Sequence, residues 1–474
     1  MAQAGATARS RAKYNKGVRV LLVSTYDMGR QPFGLASPAA WLREAGVDVT
    51  CVDLTREKLG SEQIELAEVV AFFLPMHTAT RLALPVIDRV GAENARARLI
   101  AYGLYAPLNE ALLRDHGIDR VLGGEFEEAL VEAVLEDCGT QTPEDAHVTG
   151  TPAQPVRPAT IPRLNFRVPS RDALLPLARY ATLQIAGERR TVGYTEASRG
   201  CKHRCRHCPI VPVYDGRFRV IPPDIVLADV RAQVAAGARH ITFGDPDFFN
   251  GIKHAERIVG NFHREFPDVT YDVTIKVEHL LNHADLLPVL VETGCVFVTT
   301  AVESLDDAVL AKLEKGHTRA DFLRVVALCR HAGLALAPTF VPFTPWTTVE
   351  SYLDLLHTID RLELIEHVAP IQFAIRLLIP QGSRILELEE VRALTREFDP
   401  RSLTYPWVHP DAAVDALHSE LTTLIGVKIS LPRTELFAKV WNLAHAGSNV
   451  PIARRQPVLA ARSTIPYLNE PWYC

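Results

Sequence analysis

Tyr194-Thr-Glu-Ala-Ser-Arg-Gly-Cys-Lys-His-Arg-Cys-Arg-His-Cys-Pro209 places Cys201, Cys205 and Cys208 within eight positions of a 474-residue chain. Three residues separate the first two cysteines and two separate the last pair. Three thiolates at that spacing can fold around one corner of a cubane. A [4Fe-4S] cluster has four irons and usually takes cysteine thiolates as ligands. A triplet therefore leaves one iron without a protein ligand from this loop, free to bind and polarise a small molecule. Zinc is the competing reading: it wants a fourth ligand to close its tetrahedron, and His203 and His207 stand beside the thiols. Lys202, Arg204 and Arg206 make the loop cationic. They are read either as lowering thiolate pKa values in favour of an anionic cluster or as a solvated basic turn.

Around this loop, apolar runs alternate with helical patterns. From 181 to 399 strands are expected near Gly193–Glu196, His240–Phe243, Val269–Lys276, Phe297–Ala301, Leu334–Phe340 and Gln372–Leu378. Helices lie between them at Pro222–Gly237, Ile252–Glu265 and Arg319–Ala332. Six such repeats imply a partial (β/α)6 barrel, with the cysteine loop after the first strand. Sites in parallel α/β folds form at the C-terminal strand ends. Upstream, residues 17–138 carry a second alternation, from Gly17–Ser24 to a closing helix Phe126–Glu136. That pattern predicts a Rossmann-like, doubly wound α/β domain. Residues 1–16 are read as a disordered tail and 139–180, whose first part is rich in Thr, Pro, Gln and Ala, as a linker. Residues 400–474 are read as a small, mostly helical C-terminal extension with helices Asp411–Gly426 and Glu435–Ala446.

The net charge of −5 and pI near 6.4 argue against a broad nucleic-acid surface. No apolar run approaches the ~20 residues of a membrane helix, and residues 1–16 lack the apolar core of a secretory signal. Cys51, Cys138, Cys295 and Cys329 fall in apolar or helical settings and read as buried reduced thiols. A reducing, cytoplasmic setting fits them and an oxygen-sensitive cluster alike.

The cysteine loop closely resembles that of radical S-adenosylmethionine (SAM) enzymes, whose pattern is CxxxCxxC, often with an aromatic residue before the last cysteine; His207 fills that place. The resemblance implies that Cys201, Cys205 and Cys208 ligate three irons of a [4Fe-4S] cluster. It implies that the fourth iron chelates SAM, which an electron cleaves, usually to a 5′-deoxyadenosyl radical. A one-electron reductant, flavodoxin or ferredoxin-like, and a small-molecule substrate are implied with it. Thr242-Phe-Gly-Asp-Pro-Asp-Phe-Phe-Asn250 resembles the second SAM-binding element, so Gly244, Asp245 and Asp247 are candidate SAM contacts. The alternative is an Asp-Pro turn, with Phe243 and Phe248 as packing residues. Val298 to Thr318 resembles the fourth-strand region of the cobalamin-associated subgroup, which would bring Glu303 and Ser304 to the cofactor, with Lys315 and His317 one helix further on. Glu303 could equally be a solvent-facing cap. Pro342-Phe-Thr-Pro-Trp-Thr-Thr348 stands where relatives have a glycine-rich turn against adenine and lacks those glycines. Arg376 is read as facing a carboxylate in the barrel or as a paired core arginine.

The N-terminal domain resembles the cobalamin-binding domains fused to such barrels, through Phe33-Gly-Leu-Ala, Trp41-Leu-Arg-Glu-Ala-Gly46 and Leu122-Gly-Gly-Glu-Phe-Glu127. It lacks the Asp-x-His-x-x-Gly signature of a histidine ligand to cobalt, so a cofactor-free domain stands beside a cobalamin-binding one. From the linker onward the chain resembles relatives with a Cys-Cys-Ala-Glu-Pro or Cys-Sec-Ala-Glu-Pro tail, through Arg376-Leu-Leu-Ile-Pro-Gln-Gly-Ser383 and the final Cys474. One reading makes Cys474 the first residue of that tail before a selenocysteine codon; the other leaves it a frayed terminal cysteine. The expected activity is reductive cleavage of SAM. Cobalamin-dependent methyl transfer or aminocarboxypropyl transfer to a soft atom are alternatives, and a zinc-binding structural or sensor protein is the non-enzyme one.

Overall fold

Val20-Leu-Leu-Val23 and Val69-Val-Ala-Phe-Phe73 run apolar without alternation, and each lies in a strand buried on both faces of a parallel sheet. The computed structural model describes residues 17–136, 161–446 and 466–468. They divide into two units, Met1–Arg179 and Tyr180–Cys474.

Among the described residues, the first unit holds five parallel strands: β1 (Arg19–Ser24), β2 (Asp48–Asp53), β3 (Val69–Phe73), β4 (Arg98–Tyr102) and β5 (Arg120–Leu122). Their order is β2-β1-β3-β4-β5, one of the two common doubly wound orders, with its switch point between β1 and β3. Helices Phe33–Glu44 and Glu127–Leu135 feed one core with Leu35, Leu42 and Leu130. Helix His77–Glu93 feeds the other with Ala83, Ile87 and Val90. Part of the segment read as a linker packs on this unit. The Ser170 N–H donates to the Ala36 carbonyl at 2.9 Å, and Gln31 Nε2 donates to the Leu175 carbonyl at 2.9 Å.

The second unit begins with an antiparallel hairpin that the strand pattern did not reveal. Strands β6 (Thr182–Ile185) and β7 (Glu188–Thr195) are joined by Ala186-Gly187. Both turn residues have positive φ, 49° and 84°, the sign that a two-residue type I′ turn needs. Next come β8 (Ser198–Gly200) and β9 (Phe218–Val220), which pair antiparallel as a separate stalk. Then β10 (His240–Phe243), β11 (Thr270–Thr274), β12 (Cys295–Glu303) and β13 (Ala335–Phe340) extend β7 as a curled parallel half-barrel. A short β14 (Tyr467–Leu468) pairs antiparallel with β6.

The sixth barrel strand expected over Gln372–Leu378 does not form. Pro370–Phe373 is a 3-10 turn, and only one bridge pair, Phe343 with Arg376, joins this segment to the chain beyond β13. The Gln372 side chain takes part of the strand's role: its Oε1 accepts the Phe340 N–H of the edge strand at 2.7 Å. Helices Ala412–Lys428 and Arg433–Ala446 follow. The second packs Phe437 against Phe373 at 5.6 Å between ring centroids. Cys51, Cys295 and Cys329 are buried free thiols as expected. Cys138, Cys474 and residues 1–16 lie outside the described residues.

Candidate active site

The β8–β9 stalk carries the cysteine loop at its tip. Ser198 pairs with Val220 and Gly200 with Phe218, so the 201–217 segment is held at both ends by one ladder. Gly200 has φ +73°, and a Cβ there would sit 2.3 Å from the Tyr214 ring and 2.5 Å from the Arg217 carbonyl. The chain can turn into Cys201 at this point only without a side chain. Asn250 fixes the loop's first residues: its Oδ1 accepts the Lys202 N–H at 3.2 Å and stands 3.8 Å from Cys201 Sγ, while its Nδ2 donates to the Gly200 carbonyl at 3.4 Å. The far side is tied down by the Arg206 N–H donating to the Leu313 carbonyl at 3.0 Å.

Cys201, Cys205 and Cys208 are all free thiols. Burial pushes the Cys208 thiol up to about 12 and raises Cys201 as well. The loop's own cations do not offset this. Arg204 pairs with Asp215 at 2.9 Å and Arg206 with Glu314 at 2.7 Å, and Lys202 is exposed. The positive charge that acts on the thiols comes from two buried lysines outside the loop: Lys276 lowers Cys201 and Lys315 lowers Cys208. An anionic iron–sulfur group bound by these thiolates would meet that charge, so the donor set and its electrostatics fit one.

Lys315 also anchors the end of β12. Its Nζ lies 3.2 Å from Glu303 Oε1, and His207 Nε2 lies 3.1 Å from the same oxygen. Burial alone would raise the Glu303 carboxyl, but Lys315 and His207 outweigh it and hold the group well below the usual carboxylate range. Burial pulls the Lys315 ammonium down, and Glu303 with the nearby thiols reverses that, leaving it raised. Glu303 has φ +68°, and the β12–β13 register shifts beside it. A non-glycine residue in that region is strained, and such strain gathers at functional sites. Glu303 is thus no solvent-facing cap. Next to it, Ser304 Oγ accepts the Asp306 N–H at 3.1 Å and lines a cleft with Glu303, Pro342, Thr347 and Tyr352. His317 is buried nearby, and burial followed by Lys315 and Lys276 lowers it to about 4.

Gly244 and Asp245 follow β10. A Cβ on Gly244 would overlap the Tyr194 hydroxyl at 1.8 Å. Asp245, buried, accepts the Ala197 N–H at 2.9 Å and the Ser198 hydroxyl. Its carboxylate therefore ties β10 to the foot of the stalk. Burial raises it to about 7. Phe243 and Phe248 are packed together in the core, as expected.

Asp247, fully buried, faces two histidines. His279 Nδ1 is 2.7 Å and His203 Nε2 3.6 Å from Asp247 Oδ2, and the two Nε2 atoms are 3.2 Å apart. Burial lowers His203 to about 4. The sequence reading missed His279, Lys276 and Asn250. Their one legible signal was position, each standing within seven residues after a barrel strand. Arg376 proves to be a paired arginine: Nη1 donates to Asp415 at 2.6 Å and the guanidinium lies 3.7 Å over the Trp407 ring.

Residues 195–357 match the radical SAM superfamily. Among curated proteins, the chain is similar to the ribosomal protein uS12 methylthiotransferase RimO of Desulfosudis oleivorans, 28% identical over 177 residues, 35% of this chain and 38% of that one. It is also similar to the bacteriochlorophyllide d C-8(2)-methyltransferase of Chlorobaculum tepidum, 26% identical, covering 41% of this chain and 46% of that protein. The chain thus spans less than half the length of these relatives. Among solved structures, the radical SAM methyltransferase TsrM from Kitasatospora setae shares the fold with TM-score 0.60 at 19% identity, over 80% of this chain and 77% of that one. The cobalamin-dependent SAM radical enzyme OxsB shares it with TM-score 0.67 at 14% identity, over 87% of this chain and 67% of that one. With the CxxxCxxC loop set at the C-terminal mouth of a parallel half-barrel, the chain carries a radical SAM domain over residues 195–357.

Proposed function

We propose that this protein is a radical SAM enzyme that holds a [4Fe-4S] cluster on Cys201, Cys205 and Cys208 and cleaves SAM reductively. The observation that carries this reading is the stalk-mounted triplet of free thiols faced by buried Lys276 and Lys315. The cluster, when bound, supplies a vacant iron for SAM and the electron for carbon–sulfur cleavage. Zinc is the weaker reading. A tetrahedral zinc with bonds of about 2.3 Å brings its sulfurs within about 3.8 Å of each other. Among the described residues, the group of three ligating side chains whose donors converge within 4.8 Å is His203, Asp247 and His279, not the cysteines.

Each residue then has a task. Gly244 makes room for the Tyr194 ring beside the β10 terminus. Glu303, held ionised by Lys315 and His207, offers a carboxylate to an ammonium or ribose hydroxyl, and Ser304 shares its cleft. Asp245 positions the stalk. A flavodoxin or ferredoxin-like protein supplies electrons, and the net charge of −5 favours a small-molecule substrate over nucleic acid. Among the described residues no helix is long and apolar enough to cross a membrane, in keeping with a cytoplasmic enzyme.

A second reading adds cobalamin. The first unit has the β2-β1-β3-β4-β5 order, with a ligand crevice expected outside the strand ends at its switch point. The TsrM structure with cobalamin and [4Fe-4S] cluster bound shares the fold with TM-score 0.55. Methyl transfer to substrate would then follow. Anaerobic reconstitution with iron, sulfide and hydroxocobalamin, then SAM and dithionite, tests both. Deoxyadenosine, S-adenosylhomocysteine or methylthioadenosine in the products separates radical formation, methyl transfer and aminocarboxypropyl transfer. A protein that binds no iron, or leaves SAM intact, overturns the proposal.

A further inference from the structure

We propose that His203, Asp247 and His279 bind a divalent first-row transition ion at a site separate from the cysteine triplet. The three come from different elements: the cysteine loop, the turn after β10, and the short helix Val277–Asn282 after β11. Nothing in local sequence forces them together, yet their donor atoms lie within 4.8 Å of one another. Asp247 and His279 are buried and His203 is partly so.

The decisive observation is an unmet need. Asp247 Oδ2 and His279 Nδ1 are 2.7 Å apart, yet neither makes a hydrogen bond among the described residues. A buried carboxylate oxygen and a buried imidazole nitrogen left so are costly. A cation in contact with both removes the cost, and His203 Nε2, 3.6 Å from the same oxygen, completes a third vertex. With bonds of about 2.0–2.2 Å, donors on one ion stand about 2.8–3.6 Å apart at octahedral or tetrahedral angles. The observed 2.7 and 3.6 Å lie at the two ends of that range. Two imidazoles with one carboxylate suit iron(II), cobalt(II) or zinc rather than magnesium or calcium. Three protein ligands leave at least one position open, so the ion can hold an exogenous ligand near the cysteine loop that carries His203.

This site does not depend on the SAM-cleavage reading, and its test does not read SAM turnover. Cobalt(II) is the probe, added anaerobically to the full chain after cluster reconstitution and desalting. The expected result is about one equivalent bound, weak d–d bands without near-ultraviolet thiolate-to-cobalt charge transfer, and unchanged cluster absorbance. His279→Ala should weaken binding by more than about 100-fold, beyond the 10–100-fold that loss of a merely supporting partner costs. His203→Gln, at the less buried position, is the companion variant should the first fail to fold, and it should weaken binding likewise. Thiolate charge transfer, loss of cluster absorbance on cobalt addition, no uptake beyond the cluster, or equal affinity in a folded variant would each overturn the proposal.

Discussion

Glu303 and Lys315 form a buried ion pair, Oε1 to Nζ 3.2 Å, at the strained last residue of β12. Both charges are out of water, so each depends on the other. Replacing Glu303 by Gln keeps the shape but leaves the Lys315 ammonium without its carboxylate. Breaking a buried pair from one side costs about 3–5 kcal/mol. Glu303→Gln should therefore unfold at clearly lower denaturant concentration with an unchanged slope, as read by circular dichroism.

Cys201→Ala, Cys205→Ala and Cys208→Ala should each drop reconstituted iron from about four per chain to below about one, since a cubane needs all three thiolates. Iron analysis and the visible absorbance check this. Retention of full iron in any single variant would mean the ligand set has been misassigned.

Gly200→Ala should behave like a cysteine variant although it removes no ligand. The left-handed backbone alone costs about 1–2 kcal/mol for an L-residue. A methyl 2.3 Å from the Tyr214 ring and 2.5 Å from the Arg217 carbonyl cannot be relieved by a flexible tip. Low iron content in a protein with normal far-ultraviolet dichroism is the expected signature.

Asp245→Asn should stabilise the protein at neutral pH and change how stability depends on pH. Asn can still accept from the Ala197 N–H and donate to the Ser198 hydroxyl. The folded carboxyl is raised from 3.8 to about 7 by burial. Between those values the folded state holds more protons than the unfolded one, so wild-type stability falls as pH rises. Relative to Asp245→Asn the loss should approach about 1.4 kcal/mol per pH unit, beginning near 3.8 and levelling off near 7. Urea titrations of apo-protein across that range measure it, and a gap that does not vary with pH would disprove the buried charge.

Much of this architecture is legible in the sequence because buried parallel strands are written as unbroken apolar runs. Val20–Val23 and Val69–Phe73 declare themselves, and so does the cysteine loop. Gln372–Leu378 misleads because its apolar content is used in a turn and a cap: Pro370 starts a 3-10 turn, and Gln372 meets the sheet by its side chain rather than its backbone. The loop's basic residues mislead for a related reason. The sequence shows that Arg204 and Arg206 are close in chain, not that Asp215 and Glu314 draw them outward while Lys276 comes in from the turn after β11 and Lys315 from the turn after helix Asp307–Lys312. Asp245 and Asp247 sit two residues apart in one motif, yet one anchors the stalk and the other meets His279. Only tertiary placement separates them.

The two-residue strand Tyr467–Leu468 covers β6, and Arg433 lies 4.9 Å over the Tyr467 ring to hold it there. Without it, the β6–β7 hairpin would present a row of bare amides and carbonyls to any passing chain, a template for intermolecular pairing. Proteolytic trimming that removes this strap should therefore make the protein self-associate before it loses its fold.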